Sequence, residues 1–360
     1  MGLFSSESTY VGIDIGSTSI KVVELKKING KIALATYGFS ENSDTPKQDW
    51  QKDIGSTAKV IQKIFDESGV IGRNSISALP IFSVFSSLIN LSNVAKKDIV
   101  GAVHWEAKKV IPLPLEDMVL DWKIVDNTEE SKDKKKKLSK NIRVLLTGAP
   151  KTLVKRYVQI FKLSQINLLS LETETFSLIR SLLGNDKNTV MIVEFGASTT
   201  DVTIIDKGIP MLNRSIDVGG LALTGAISKQ LGVDYSRAEQ FKYDLGISSF
   251  KDIDNKKENK DKPSVPKVIS ETLSPIVNEI KYAINLFQNK YNKNTEKIIL
   301  SGGSSLLSDL VPYFSSLLDT KVIIGDPWSR VECPKEIKPL LREIGPRMSV
   351  AVGLALRELE

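Results

Sequence analysis

The chain has 360 residues, of which 41% are hydrophobic, 7% aromatic and 26% charged. This balance is typical of globular proteins and excludes disordered, collagen-like and disulfide-rich chains. At about 150 residues per domain, the length predicts two domains or one large fold with two lobes. The 49 Lys and Arg against 43 Asp and Glu give a net charge of +6, which is compatible with an acidic partner, a nucleic acid or an anionic membrane.

Two rare residues exclude several kinds of site. Cys333 is the only cysteine and His104 the only histidine, so the chain alone forms neither a disulfide nor a Cys/His zinc cluster. A Ser-His-Asp triad would require His104. Ile99, Val103 and Ala107 recur at helical spacing and leave His104 off the apolar stripe, so we predict a surface histidine.

One long uncharged stretch spans 74–95. It contains Pro80 and scattered Ser and Asn, and its apolar residues alternate with polar ones. These features favour short strands over a membrane-spanning helix. We therefore predict strands in this stretch.

The most informative feature is an internal repeat. In VGIDIGSTSIKVVEL and in MIVEFGASTTDVTII, an apolar strand ends in a carboxylate, a glycine follows two residues later, and small hydroxyl residues come next. A second strand, a turn at Asn29-Gly30 or Lys207-Gly208, and a third strand follow in each copy. The paired positions are Asp14 and Glu194, Gly16 and Gly196, and the runs Ser17–Ser19 and Ser198–Thr200.

Each copy predicts a β-hairpin whose turn points backbone N–H groups at an anion. The carboxylate repels a phosphate but can hold a hydrated Mg²⁺ that bridges phosphate oxygens. Two such hairpins face to face would clamp one polyphosphate, with Lys21 neutralising part of its charge. The counterpart of Lys21 is Asp201, so the copies are not chemically equal. The alternative is that these are two ordinary hairpins without a ligand. A single copy of the carboxylate–glycine–hydroxyl motif would leave that alternative open, but two copies make it less favoured.

Two further motifs carry glycine pairs. IILSGGSSLL predicts a buried strand, a turn at Gly302-Gly303 and an amphipathic helix with Leu306, Leu310 and Leu317 on one face. This turn would let a base or ribose lie against the backbone, or it is only a tight turn of an α/β unit.

The second glycine pair, in DVGGLALTG, opens a helix. In the helix that follows, Glu239 and Lys242 lie three positions apart on one face. Glu239 would accept hydrogen bonds from ribose hydroxyls, and Lys242 would lie over the base or pair with Glu239. The alternative is a surface ion pair of little energetic value.

The motifs DIGSTSIK, EFGASTTD, GGLALT, RAEQFK and LSGGSSLL, in this order, resemble the actin-like ATPase superfamily. HWEAKKVIPLPLEDMVLDWKIV, LETETFSLIR and RMSVAVGLALREL are similar to its PilM family, and the resemblance covers nearly the whole chain. It implies an α/β actin-like ATPase fold of two lobes with duplicated mixed sheets and an inserted FtsA/PilM-type subdomain. The implied division is a first core lobe of 1–77 with 166–202 and 330–360, an inserted subdomain of 78–165, and a second core lobe of 203–329.

The resemblance also implies ATP and Mg²⁺ as ligands. Their site would consist of a first phosphate loop (Asp14, Gly16, Ser17, Thr18, Lys21), a second one (Gly196, Ala197, Ser198, Thr199), ribose and base contacts (Gly220, Glu239, Lys242), an adenosine platform (Gly302, Gly303) and metal-holding carboxylates (Asp14, Glu194). Asp14 would position the metal for hydrolysis, and Glu174 corresponds to the acid that orients the attacking water in related ATPases.

Similar proteins usually carry Asp at position 194. The extra methylene shifts the carboxylate by about 1.5 Å, which puts its metal role in doubt and would slow hydrolysis.

The function that the resemblance implies is an ATP-binding cytoplasmic scaffold of the type IV pilus inner-membrane platform, with at most slow ATPase activity. Its partner would be the N-terminal tail of the membrane protein PilN, held between the first core lobe and the inserted subdomain. That tail would give the chain an indirect membrane contact. Self-association stays open and no nucleic-acid partner is expected.

Two alternatives belong to the same superfamily. An FtsA-like division protein would polymerise and bind the membrane through a C-terminal amphipathic helix, whereas this chain ends at GLALRELE directly after the last predicted core helix. A small-molecule kinase would need a carboxylate that acts as a base on the substrate hydroxyl, and a substrate pocket, and no motif for either is present.

The Lys134–Lys137 block and the polar stretch 251–267 are expected to be mobile loops, with a membrane or nucleic-acid contact as the alternative for the lysine block.

Overall fold

The structure is a computed structural model that describes residues 8–41, 53–128, 138–247 and 265–360. The Lys134–Lys137 block and nearly all of the polar stretch 251–267 lie outside these ranges. The strands are β1 (Thr9–Ile15), β2 (Ser19–Ile28), β3 (Lys31–Glu41), β4 (Asn74–Leu79), β5 (Phe85–Ala95), β6 (Met118–Thr128), β7 (Leu138–Pro150), β8 (Asn167–Thr173), β9 (Val190–Phe195), β10 (Thr200–Asp206), β11 (Ile209–Ile216), β12 (Lys297–Ser301) and β13 (Lys321–Ile324). The helices are α1 (Ile54–Ser68), α2 (Ile99–Val110), α3 (Lys151–Leu163), α4 (Glu174–Leu178), α5 (Gly220–Leu231), α6 (Tyr235–Leu245), α7 (Val265–Tyr291), α8 (Leu310–Leu318) and α9 (Lys338–Leu356).

Two five-stranded sheets share one topology. The first has the order β3-β2-β1-β4-β8 and the second the order β11-β10-β9-β12-β13. In each, three antiparallel strands are followed by two parallel ones. The duplicated mixed sheets implied by the family resemblance are confirmed.

The turns between the second and third strands of each sheet explain why both copies form hairpins. The φ angles are 51° and 80° at Asn29 and Gly30, and 54° and 79° at Lys207 and Gly208. Two consecutive residues with positive φ give the turn a twist that matches the right-handed twist of the strands it joins. Both predicted turns are therefore confirmed.

The core has several layers. Helix α9 packs against β1 and β2, and its residues from Met348 to Leu356 are buried. The second sheet is covered by α5, α7 and α8. Along α7, Ile269, Leu273 and Ile280 lie on one face at helical spacing, and all three are fully buried.

The third sheet has the order β5-β7-β6 and is covered by α2. Ile99, Val103 and Ala107 of α2 face this sheet, and His104 is exposed, as predicted. The stretch 74–95 forms β4, a short turn and β5, which confirms the strand prediction. Within the described ranges, no helix is long and apolar enough to cross a membrane.

Two sequence predictions require correction. The helix after Gly302-Gly303 does not begin at once, because a 3₁₀ turn over Gly303–Leu306 and a left-handed Asp309 precede α8. Leu317 is 38% exposed, because the buried face of α8 runs through Leu310, Phe314 and Leu318 instead.

The predicted boundary between 202 and 203 falls inside β10, which pairs with both β9 and β11. Residues 190–202 therefore belong to the second sheet, because cutting β10 would break a continuous ladder. The predicted boundary between 77 and 78 likewise falls inside β4, which pairs with β8 up to Leu79. The other lobe boundaries stay a prediction.

Candidate functional site

A cavity of about 750 Å³ is lined by residues of both five-stranded sheets. All the residues predicted as a site from the sequence line this one cavity: Asp14, Gly16, Ser17, Thr18, Lys21, Glu174, Glu194, Gly196, Ala197, Ser198, Thr199, Gly220, Glu239, Lys242, Gly302 and Gly303. The structure therefore brings together segments that are up to about 290 positions apart in the chain. Their roles toward a ligand remain predictions.

The first hairpin presents an ion pair at the cavity wall. Its turn is closed by a hydrogen bond from Gly16 N–H to the carbonyl of Ser19 (3.0 Å). Lys21 lies opposite Asp14 in the β1–β2 register, and Lys21 Nζ is 2.8 Å from Asp14 Oδ2. The Asp14 carboxylate is therefore neutralised by a cation of its own hairpin.

The second hairpin has the same turn. Gly196 N–H donates to the carbonyl of Thr199 (3.0 Å). Opposite Glu194, where the first copy has lysine, stands Asp201. Two carboxylates therefore occupy the positions that hold an ion pair in the first hairpin.

The two carboxylates of the second hairpin are held differently. Asp201 accepts hydrogen bonds from Thr199 Oγ1 (3.2 Å) and from Ser215 Oγ. Burial raises its pKa to about 6, although these hydrogen bonds lower it. Burial also raises the pKa of Glu194 to about 8, opposed by a hydrogen bond from Ser301. Among the described residues Glu194 Oε2 is buried without a hydrogen-bond partner, which leaves it available to a cation.

The second turn is fixed by two other segments. The carbonyl of Gly196 accepts from Gly220 N–H (3.0 Å) and from Ser304 Oγ (3.0 Å), and the carbonyl of Ala197 accepts from Leu221 N–H (2.9 Å). A Cβ on Gly220 would lie 2.3 Å from Ser304 Oγ, so a side chain here would displace the hydroxyl that donates to Gly196. The start of α5 and the turn after β12 are thus locked onto the second hairpin.

Lys242 is not the surface residue of the alternative interpretation. It is 3% exposed, and its Nζ lies 2.7 Å from Glu239 Oε1, 3.1 Å from Thr224 Oγ1 and 3.5 Å from the carbonyl of Gly220. Burial lowers the pKa of Lys242, and the carboxylate of Glu239 opposes that shift. The ammonium therefore ties α6 to α5, and Glu239 is the more exposed member of the pair.

The turn at Gly302 brings α9 to the cavity. Gly302 has a φ of 85°, and its N–H donates to the carbonyl of Pro346 (2.9 Å). The next residue of α9, Arg347, lines the cavity with its guanidinium carbon 5.7 Å from the centre of the Phe39 ring. The guanidinium thus contacts the outer strand of the first sheet beside a turn of the second.

Glu174 begins α4 and also lines the cavity. Its Oε2 accepts a hydrogen bond from Ile81 N–H (3.0 Å). Burial raises its pKa well above the usual range, and the charges of Asp14 and Asp201 raise it further. A buried acid with a raised pKa is suited to exchange a proton with a bound water.

The side chains present fit a hydrated divalent cation better than a directly chelated one. No group of three or more acidic, His or Cys side chains is arranged to hold a metal among the residues described. The orphaned Oε2 of Glu194 and the nearby Asp14 are oxygen donors of the kind Mg²⁺ prefers, and Mg²⁺ usually retains several waters. Asp14 and Glu194 would therefore hold Mg²⁺ together with phosphate oxygens and water.

Sequence reasoning missed several residues that line the cavity: Pro80, Phe82, Asp201, Asp217, Leu221, Tyr235, Ser304 and Arg347 among them. Asp201 was visible as the counterpart of Lys21 but was not assigned to the site. Arg347 is a cation directly before the apolar run MSVAVGLAL, which was the available signal.

Comparison with known proteins identifies the relatives. The chain is 24% identical over 263 residues to the cell division protein FtsA of Bacillus subtilis, covering 67% of this chain and 59% of FtsA. FtsA of Enterococcus faecalis is 26% identical over 263 residues, with 66% of this chain and 58% of that protein covered. The chain thus spans just under three fifths of the length of these two relatives.

Solved structures share the fold. The PilM–PilN type IV pilus biogenesis complex contains a chain with a TM-score of 0.80 and 22% identity, with 98% of each chain covered. MreB5 of Spiroplasma citri bound to AMPPNP follows at a TM-score of 0.53 and 11% identity, with 96% and 94% covered. These likenesses confirm the actin-like ATPase fold.

A sequence profile of the family described as type IV pilus assembly protein PilM matches residues 12–359. This match covers nearly the whole chain and confirms the resemblance carried by the duplicated motifs. The chain belongs to the PilM family of type IV pilus assembly proteins.

Proposed function

We propose that this chain is a nucleotide-gated scaffold of the type IV pilus inner-membrane platform. Its cavity would bind ATP with Mg²⁺, and the nucleotide would hold the two sheets in one arrangement that presents a groove to a PilN-like membrane protein. The observation that carries the proposal is the convergence of both duplicated turns on one cavity. The chain would then be cytoplasmic and peripheral to the inner membrane.

Several features support a polyphosphate ligand. The turns at Gly16 and Gly196 expose backbone close to the cavity, with Ser17, Thr18 and Ser198 as additional donors. The similar fold of MreB5 was solved with AMPPNP bound. Glu239 would accept from the ribose hydroxyls, and the Gly302-Gly303 turn would support the adenosine.

Mg²⁺ would offset the surplus of carboxylates. Asp14, Glu174, Glu194, Asp201 and Asp217 all line the cavity. A triphosphate adds further negative charge, so the bound cation would bridge phosphate oxygens and reduce the repulsion. Glu174 would orient a water for slow hydrolysis, and binding rather than turnover would be the signal.

The partner proposal rests on the family and on the shared fold. The similar solved chain belongs to a PilM–PilN complex. In this chain β8 is the outer strand of the first sheet and exposes Leu169, and the buried Oγ of Ser170 lacks a partner among the described residues. An extended peptide tail would add to such a strand edge through main-chain hydrogen bonds. The groove would lie between β8 and the inserted sheet β5-β7-β6.

Calorimetry with two ligands tests the proposal. We expect saturable binding of AMPPNP with Mg²⁺ and of a synthetic peptide that carries the N-terminal tail of PilN. The Gly219→Ala variant is expected to lose AMPPNP binding because its Cβ would lie 2.4 Å from the carbonyl oxygen of Ala197 and would displace the second turn. Absence of binding for both ligands would contradict the proposal.

The second candidate is an FtsA-like polymerising division protein, which the sequence relatives favour. Electron microscopy of the purified chain with ATP distinguishes the two candidates. Filaments that form with ATP and disappear on dilution would support the FtsA-like function, and a monomer that binds the PilN peptide would support the scaffold.

A further inference from the structure

The positive charge of the chain is concentrated in one segment. Residues 78–165 contain sixteen Lys and Arg and nine Asp and Glu, and carry a net charge of +7, whereas the whole chain carries +6. The rest of the chain is therefore close to neutral. This segment comprises the sheet β5-β7-β6, α2 and α3.

Within this segment α3 is a helix without an acidic residue. Its sequence, KTLVKRYVQIFKL, has four basic residues. The opposite face packs into the core through Leu153, Tyr157, Ile160 and Phe161, which are at most 8% exposed. The rotation of α3 is therefore fixed by packing, and so is the face that it presents to solvent.

The outward face of α3 combines lysines with apolar side chains. Lys151, Lys155, Val158 and Lys162 follow one another at helical spacings of four, three and four, and all are exposed. Val158 is 50% and Leu163 55% exposed. Within the described part of the chain, no carboxylate lies within 4.0 Å of the ammonium of Lys155 or Lys162.

We propose that the outward face of α3 is a docking surface for an anionic lipid bilayer. The lysines would lie among the phosphate and serine headgroups, and Val158 and Leu163 would enter the boundary between headgroups and acyl chains. Charge complementarity supports this occupant, because each Lys or Arg near an anionic leaflet adds to the attraction. The exposed apolar side chains beside the lysines favour a bilayer over a nucleic acid, whose phosphates offer Val158 and Leu163 no apolar contact.

This contact is independent of the nucleotide and of the PilN tail. It would give the chain a direct membrane attachment in addition to the one borrowed from its partner. Electrostatic docking of one helix face is weak and reversible. Once the PilN tail is bound, the contact between α3 and the bilayer becomes intramolecular and forms more readily. Together the two contacts would orient the scaffold relative to the membrane.

Vesicle cosedimentation of the full chain tests the surface. The probe is phosphatidylcholine vesicles with and without phosphatidylserine, and no PilN is present. We expect binding only with phosphatidylserine, and a fall on the order of 100-fold in the partition coefficient for the Lys151→Gln, Lys155→Gln, Lys162→Gln triple variant. The matched control removes the same charge from α7 through Lys267→Gln, Lys281→Gln and Lys290→Gln, and is expected to bind as the wild type does.

Three outcomes would overturn the proposal. The first is no binding to phosphatidylserine vesicles by the folded wild type. The second is an equal loss in the α7 control, which would show a response to net charge alone. The third is binding of random-sequence duplex DNA that depends on the three α3 lysines while vesicles do not bind. AMPPNP calorimetry on the same variants reports the nucleotide site separately, so failure of this surface leaves the proposed function untouched.

Discussion

The two hairpins that face the cavity have the same backbone but different charge. In each hairpin, the turn is closed by a 3.0 Å hydrogen bond from a glycine N–H to the carbonyl of the third residue after it. A second turn, with two consecutive positive φ angles, then joins the second strand to the third. The first hairpin places Lys21 opposite Asp14, and the second places Asp201 opposite Glu194. The backbone therefore determines where an anion can approach, and the cross-strand pair determines what each side offers to it.

Because of this difference in charge, the two hairpins would interact with a phosphate in different ways, whereas two identical hairpins would interact with it in the same way. The first hairpin carries its own cation, so its carboxylate repels a phosphate less than an unpaired one would. The second carries two acids with raised pKa values, so it approaches a phosphate only with a proton or a cation between them. We expect the two sides to respond oppositely to charge changes.

The largest effect is expected from making the first hairpin resemble the second. Lys21→Asp places a second carboxylate opposite Asp14. We expect the affinity for AMPPNP to fall on the order of 100-fold or more, because an attraction is replaced by a repulsion in a partly buried site. Calorimetry measures the change. Lys21→Met, which removes the charge without adding one, should give an intermediate loss, and wild-type affinity in both variants would contradict the comparison.

The next effect concerns pH in the ligand-free protein. The pKa of Glu194 is about 8 in the folded state against 4.5 ordinarily, so the folded state retains a proton that the unfolded state has lost. The stabilisation from this protonated group is complete below the unfolded pKa and is lost as the pH rises through about 8. Glu194→Gln should flatten this decrease, with a gain of a few kcal/mol in the free energy of unfolding at the alkaline end.

Urea denaturation across this pH range measures the effect. Glu296→Gln changes an exposed glutamate outside the cavity and should leave the pH profile as in the wild type. A wild-type stability that increases from acidic to alkaline pH, with Glu194→Gln following the same curve, would contradict the account of the second hairpin.

A smaller effect is expected from reducing the repulsion between the carboxylates of Glu194 and Asp201. Asp201→Asn removes one charge opposite Glu194 and keeps one of the two oxygens that accept from Thr199 and Ser215. We expect AMPPNP affinity without Mg²⁺ to rise by a factor of about five, because less repulsion remains to be offset. Titration calorimetry with and without Mg²⁺ measures it. Asp206→Asn, at the far end of β10, serves as the control, and a fall in affinity for Asp201→Asn would refute the assignment.

The smallest effect is expected from substitutions that test whether the two hairpins have equivalent backbone conformations. Gly30→Ala and Gly208→Ala each place a side chain at a φ near 80° with open space around it. Both should lower the free energy of unfolding by about 1 kcal/mol and leave AMPPNP binding unchanged. Thermal or urea denaturation gives the two values. A clear inequality between them would show that the hairpins are not equivalent in their backbone.

The hairpins were predictable from the sequence because their signals are local. The carboxylate, glycine and hydroxyl residues recur within one strand and one turn, and the Asn29-Gly30 dipeptide specifies its turn directly. Their convergence followed from the repeat together with the family resemblance.

Other features depend on contacts that local patterns do not contain. Lys242 is buried because α6 packs against α5, which no spacing within α6 reveals. Arg347 reaches the cavity because Pro346 accepts a hydrogen bond from Gly302, 44 positions earlier in the chain. The boundary at 202/203 was misplaced because a strand pattern does not show which sheet it joins.

A structure of the protein crystallised with AMPPNP and Mg²⁺ tests the convergence of the two hairpins most directly. The account predicts one triphosphate that contacts the backbone at both Gly16 and Gly196, with Lys21 on one side and a cation between the phosphates and Glu194 on the other. A nucleotide held by one turn alone, or bound outside this cavity, would contradict it.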